Sequence, residues 1–209
     1  MGALTGSIST SAYYVDGDIP QGFKERFAEG LRKQAFREID LGLEHDESMG
    51  WVNIDDAFDT AFEVDAFLWN RYVLVGFRID AVRLPASIVK IHYQRELGDY
   101  LENQGKERAS KAERDNVKDH LVNSLRRKVL PTIKIIDMAW NLDRGEVWFF
   151  SGNKRLNDIF MDRFTETFGV SLIPRNPYSL LERMELDASM IDKAVRLDPT
   201  VFAVPPVTD

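Results

Sequence analysis

The chain has 209 residues, 44% of them hydrophobic and 29% charged, with a formal net charge of −7 and no cysteine. This is the balance of a globular chain with one principal core; it excludes the polar, aromatic-poor class of disordered chains, and the lack of cysteine excludes disulfides, thiolate nucleophiles and Cys-ligated metals and fits the cytosol. The charge is unevenly placed, because Arg83–Lys134 carries 12 Lys/Arg against 7 Asp/Glu, a local net of +5 that leaves −12 elsewhere.

The opening segment MGALTGSISTSAYYVDGD lacks the basic and apolar regions of a secretory signal. Within it, Leu4–Tyr14 alternates small or apolar with hydroxyl side chains and predicts a strand. A helix is expected next, capped by Asp18 with Pro20 in its first turn, because Phe23, Phe27, Leu31 and Ala35 recur every four residues. Gly50-Trp51-Val52 predicts a short strand. Tyr72–Leu84 predicts a longer one, with Val73, Val75, Phe77, Ile79 and Ala81 on one face and Leu74, Gly76, Arg78 and Asp80 on the other, wet towards its far end. The apolar stretch at its start, around Tyr72–Phe77, is far shorter than the ~20 residues of a membrane helix, so no membrane association is expected.

Pro85 opens a helix running towards Glu102 and ended by Asn103-Gln104-Gly105. Ser110-Lys111-Ala112-Glu113 has the capping-box pattern and starts a second helix that must stop before Pro131. Ile133–Asn141 and Glu146–Phe150 then form a β-hairpin around the turn Leu142-Asp143-Arg144-Gly145. Leu156, Phe160, Phe164 and Phe168 mark an amphipathic helix broken by Gly169, and Val170–Ile173 returns as a strand. The expected class is α+β, with antiparallel sheets, packed helices and a protruding helical hairpin. Residues 1–84 and 131–198 form the body, 85–130 the inserted hairpin, and 199–209 a Pro-rich, frayed tail. A strand-helix-strand order in both halves is compatible with a loose internal duplication, without a residue-level repeat.

No P-loop, dinucleotide fingerprint, nucleophile elbow, zincin or EF-hand pattern occurs, so no catalytic residue, cofactor or metal is assigned. His45-Asp46-Glu47 with Asp55, Asp56 and Asp59 could be drawn as a metal or acid-base site. A solvated acidic loop explains them better, since adjacency in sequence supplies no convergence in space. His92 and His120 fall on the two hairpin helices as surface or packing residues. Trp140, Trp148, Phe149 and Phe150 could stack on bases, but their alternation fits a sheet packed on both sides.

The basic hairpin carries more information. On its second helix Lys111, Arg114 and Lys118 occupy the azimuth that Leu121, Leu125 and Val129 take further on, so one stripe turns from basic to apolar. Burying three unpaired cations is prohibitive, so the first turns must stand clear while the last turns dock. Arg126, Arg127 and Lys128 form a second cluster, placed either to complement the helix dipole or to meet phosphate. With Lys106 and Arg108 at the connection, these eight residues are the candidate nucleic-acid contacts.

Met49-Gly50-Trp51-Val52, Arg83-Leu84-Pro85-Ala86-Ser87-Ile88-Val89-Lys90, a charged hairpin ending at Val129-Leu130-Pro131, the strand around Trp140, the helix from Asn153, and Phe168-Gly169-Val170-Ser171-Leu172-Ile173-Pro174 followed by Asn176-Pro177 together resemble the RdgC recombination-associated proteins, over roughly residues 1–180. The resemblance implies a non-enzymatic, nucleoid-associated protein of the cytoplasm that binds DNA, expected to be duplex, with little sequence preference and restrains a recombinase. It also implies a homodimer, which in longer members forms a ring around duplex DNA. Those members continue well past the Asn-Pro segment, which leaves ring closure open here. A dimeric module that contacts a recombination protein without holding DNA is the alternative expectation.

Overall fold

The computed structural model describes residues 9–40, 45–184 and 186–197. One antiparallel sheet organises them. Its strands are β1 (Ser11–Asp16), β2 (Glu47–Val52), β3 (Leu68–Trp69), β4 (Tyr72–Ala81), β5 (Thr132–Asn141), β6 (Glu146–Phe149) and β7 (Ser171–Pro174), in the order β2-β4-β5-β6-β1-β7, with β3 also paired to β4. The helices are α1 (Phe23–Lys33), α2 (Val64–Phe67), α3 (Ala86–Gln104), α4 (Lys111–Arg126), α5 (Lys154–Phe168), α6 (Pro177–Arg183) and α7 (Ala188–Val195). The α+β class with an antiparallel sheet is thus as expected.

Register follows from side-chain alternation, since a one-residue slip would send every apolar residue to the other face. Val73, Val75, Phe77 and Ile79 face Trp140, Met138, Ile136 and Lys134 across the β4/β5 ladder. β6 adds Val147 and Phe149, and β1 adds Tyr13. Helices α1 and α5 cover this face with Phe27, Leu31, Phe160, Phe164 and Phe168. Phe149 stacks flat on Phe160 with centroids 4.1 Å apart, while Trp140 meets Phe27, Phe164 and Phe168 at 5.2–5.4 Å. Such aromatic pairs add about 0.5–1.5 kcal/mol each beyond the area they bury.

The first helix is shorter than the periodicity suggests. Gly22 sits in the left-handed region at φ 68°, so the helix starts at Phe23 and leaves Asp18 and Pro20 in the approach. Ala35 lies beyond its end and forms a parallel bridge with Trp51. That segment covers the free edge of β2, because Trp51 N–H donates to the Gln34 carbonyl and Phe36 N–H to the Trp51 carbonyl. The strand read from Leu4 begins at Ser11, and residues 4–8 lie outside the described residues, as does the tail 199–209.

The far end of β4 is not wet. Arg78 and Asp80 are 4% and 2% exposed, because the chain on either side of β2 folds over them. Arg78 Nε and Nη2 donate to the two Asp80 carboxylate oxygens at 2.8 and 2.7 Å, and Nη1 donates to the Ala57 carbonyl at 3.0 Å. The guanidinium lies 4.2 Å from the Phe36 ring centroid and 4.9 Å from that of Phe58. It therefore pins the 53–62 loop to the sheet.

Candidate nucleic-acid interface

Helices α3 and α4 pack on each other, and α3 has no buried residue along its 19 positions. Its termini match the sequence signals, with Pro85 before the first turn and Gly105 at φ 59° closing the last. At the start of α4 the Ser110 hydroxyl accepts the Glu113 N–H while Glu113 accepts the Ser110 N–H at 2.8 Å, a complete capping box. Glu113 also takes hydrogen bonds from Lys106 Nζ at 2.5 Å and Tyr100 Oη at 2.9 Å. The Lys106 bond and the two Ser110 bonds hold its carboxyl at about 2, well below the usual range, and the shared carboxylate raises Lys106 and Tyr100. The connection between the helices is therefore tied by one carboxylate to both of them.

The basic-to-apolar change along α4 is realised in the fold. Lys111, Arg114 and Lys118 are exposed and Leu121 and Leu125 are buried, while Val129, expected to continue the stripe, lies beyond the helix end at Arg126 and is half-buried. Half-buried Glu113 and Val117 lie to one side of the basic stripe, on the flank they share with Tyr100 of α3. The stripe thus lines one flank of the hairpin, an open groove of about 750 Å³ bounded by Lys90 and Tyr93 of α3 and by Lys111, Arg114, Asp115 and Lys118 of α4. None of its four cations forms an ion pair among the described residues, and Asp115 is the one carboxylate lining it. Lys90 was missed by the sequence reading. Its signal is Lys90 and Tyr93 at helical spacing, legible only once α3 is known to face α4 along that edge.

The opposite flank has the reverse sign. Glu96, Asp99 and Glu113 line it with Tyr100 and His120. An anionic partner is accordingly attracted to one side of the hairpin and repelled from the other.

The remaining candidates divide. Arg108, Arg127 and Lys128 are exposed, whereas Lys106 is engaged by Glu113. Arg126 is a correction: it is 8% exposed and its Nη2 lies 2.7 Å from Asp46 Oδ1. Once α4 docks its last turn on the body, that position faces the 46–47 segment rather than solvent, so Arg126 fastens the hairpin root and does not present itself to phosphate.

The acidic segment offers no convergent centre. Asp46 pairs with Arg126, Glu47 with Arg155, and Asp55, Asp56 and Asp59 lie in a loop laced by short hydrogen bonds such as Asp56 Oδ1 accepting the Phe58 N–H at 2.9 Å. Among the described residues no group of three or more His, Asp or Glu could hold a metal ion. Of the aromatic residues of the β5/β6 hairpin, Trp140 and Phe149 are fully buried in the core and half-buried Phe150 packs against it, whereas Trp148 is half-buried outside that cluster. Among the described residues no helix is long and apolar enough to cross a membrane. No protein-family model matches the chain, and no curated protein matches it.

Proposed function

We propose that the protein binds DNA without sequence preference and makes or breaks no bond in doing so. The observation that carries this reading is the hairpin groove, in which Lys90, Lys111, Arg114 and Lys118 stand exposed, without ion-pair partners among the described residues, on an element that projects from the core. Cations arranged in this way displace condensed counterions from phosphates, contacts that position a duplex without carrying sequence information. The resemblance to RdgC proteins supports a role in recombination or replication, at the nucleoid, as a homodimer that restrains a recombinase.

Fluorescence anisotropy with two duplexes of unrelated sequence tests the proposal, repeated with the triple variant Lys111→Glu, Arg114→Glu, Lys118→Glu. Equal affinities for the two duplexes and a severe loss in the variant are the expected results. Light scattering of the same samples reads the oligomeric state. A second reading, a dimeric module that contacts another protein without DNA, is favoured by Ile88 and Ile91, which are 43% and 66% exposed on α3. Absence of duplex binding at low salt would select it.

A further inference from the structure

The inner face of the sheet does not end where its apolar residues end. Beyond Ile79, the same alternation continues through Ala81 to Arg83, while Lys134 and Thr132 stand opposite Ile79 and Ala81, and Glu47 lies opposite Ala81 on the other side. Helix α5 begins across from this extension. Its first turn, with Asn153, Arg155 and Leu156, forms the second wall of a cleft of about 380 Å³. Arg83 after β4, Lys134 on β5 and Arg155 on α5 thus converge from three elements on one concavity. A single carboxylate lines it, Glu47, whose Oε2 is 2.9 Å from Arg155 Nη2.

We infer that this cleft is a phosphate-binding site. Three cations share the cleft with one carboxylate, which Arg155 already engages, and Arg83 and Lys134 have no ion-pair partner among the described residues, so the cleft keeps a local excess of positive charge for an incoming anion. Two guanidinium groups can each hold phosphate oxygens in a bidentate manner, with Lys134 as a point charge. The start of α5, capped by Asn153 accepting the Leu156 N–H at 3.1 Å, adds the positive end of a 15-residue helix dipole. Leu84, the neighbour of Arg83, lines the basic groove of the hairpin, so the cleft lies at the root of that groove. The phosphate it takes is a backbone phosphodiester of the same DNA, an assignment of source that rests on the DNA-binding reading; the chemistry of the cleft does not.

The full chain, labelled with ¹⁵N, is titrated with inorganic phosphate at low ionic strength, and duplex affinity is measured against salt in parallel. Both are repeated with Arg83→Glu/Lys134→Glu and with the triple hairpin variant. Saturable shifts at the amides of Lys134 and Arg155 are expected in the native protein and in the hairpin variant, and none in the cleft variant, whose melting temperature stays native. The cleft variant should bind duplex on the order of tenfold more weakly, with a log–log salt slope shallower by about 0.9, the share of the one phosphate the cleft holds. Phosphate shifts without any effect on duplex binding would keep the site and assign it to free phosphate or a phosphate ester. No saturable shifts at these amides, whatever the duplex result, would overturn it.

Discussion

Replacing Arg78 by Met tests the interior polar arrangement on which the 53–62 loop depends. The side chain is 4% exposed and neutralises Asp80, itself 2% exposed, through two hydrogen bonds of 2.8 and 2.7 Å. Methionine preserves most of the volume but leaves the Asp80 carboxylate buried without its counter-charge, which costs about 3–5 kcal/mol. Loss of the guanidinium between Phe36 and Phe58 contributes about 1 kcal/mol more, partly overlapping the first effect. Against a stability of roughly 5–15 kcal/mol for a domain, the single variant should lose about 4 kcal/mol. The double variant Arg78→Met/Asp80→Leu removes both charges together and should recover to within about 1 kcal/mol of the native protein. Urea denaturation of the native protein, both single variants and the double variant gives the coupling energy directly. A single variant within about 1 kcal/mol of native, or a double variant as unstable as Arg78→Met, would refute the reasoning.

Gly30→Ala should destabilise the protein by about 1–3 kcal/mol, because the added Cβ would lie 2.0 Å from the Thr167 carbonyl oxygen where α1 crosses α5; a melting temperature unchanged from native would contradict that close approach. Gly50→Ala should act similarly, with its Cβ 2.4 Å from the Phe36 backbone that covers the β2 edge. The Glu113 carboxyl should titrate at about 2 in an NMR titration, so the stability it contributes is complete above its ordinary value of 4.5 and is lost as pH falls from there through 2; a midpoint near 4.5 would show that the capping box and the Lys106 bond do not hold it. The triple hairpin variant should keep the native unfolding free energy in urea to within about 0.5 kcal/mol per residue, since all three side chains are exposed.

Much of the architecture was legible because local signals agreed with one another. Ser110 and Glu113 marked the start of α4, Gly105 and Gly169 the ends of α3 and α5, and Gly145 the β-hairpin turn, each through a conformational demand that few residues meet. The Lys111-Arg114-Lys118 stripe could be placed in solvent because unpaired cations cannot be buried. Where a partner distant in sequence decides, the reading failed. Arg78 and Asp80 looked wet because nothing nearby announces that Phe36 and Phe58 will close over them. Arg126 looked like one of three equivalent cations, and only the docking of α4 beside Asp46 separates it from Arg127 and Lys128. The α6 start at Asn176-Pro177 carried a capping signal, with Ser179 completing the box, that is short enough to pass as a turn.

The most direct test of the central claim is the salt dependence of duplex binding by the native protein beside its triple hairpin variant. Binding through the groove predicts a linear fall of log affinity with log salt for the native protein, the same for unrelated sequences. The variant should show weaker binding and a slope shallower by about 2.7, the share of three phosphate contacts. A variant that binds duplex with native affinity and native slope would contradict the account.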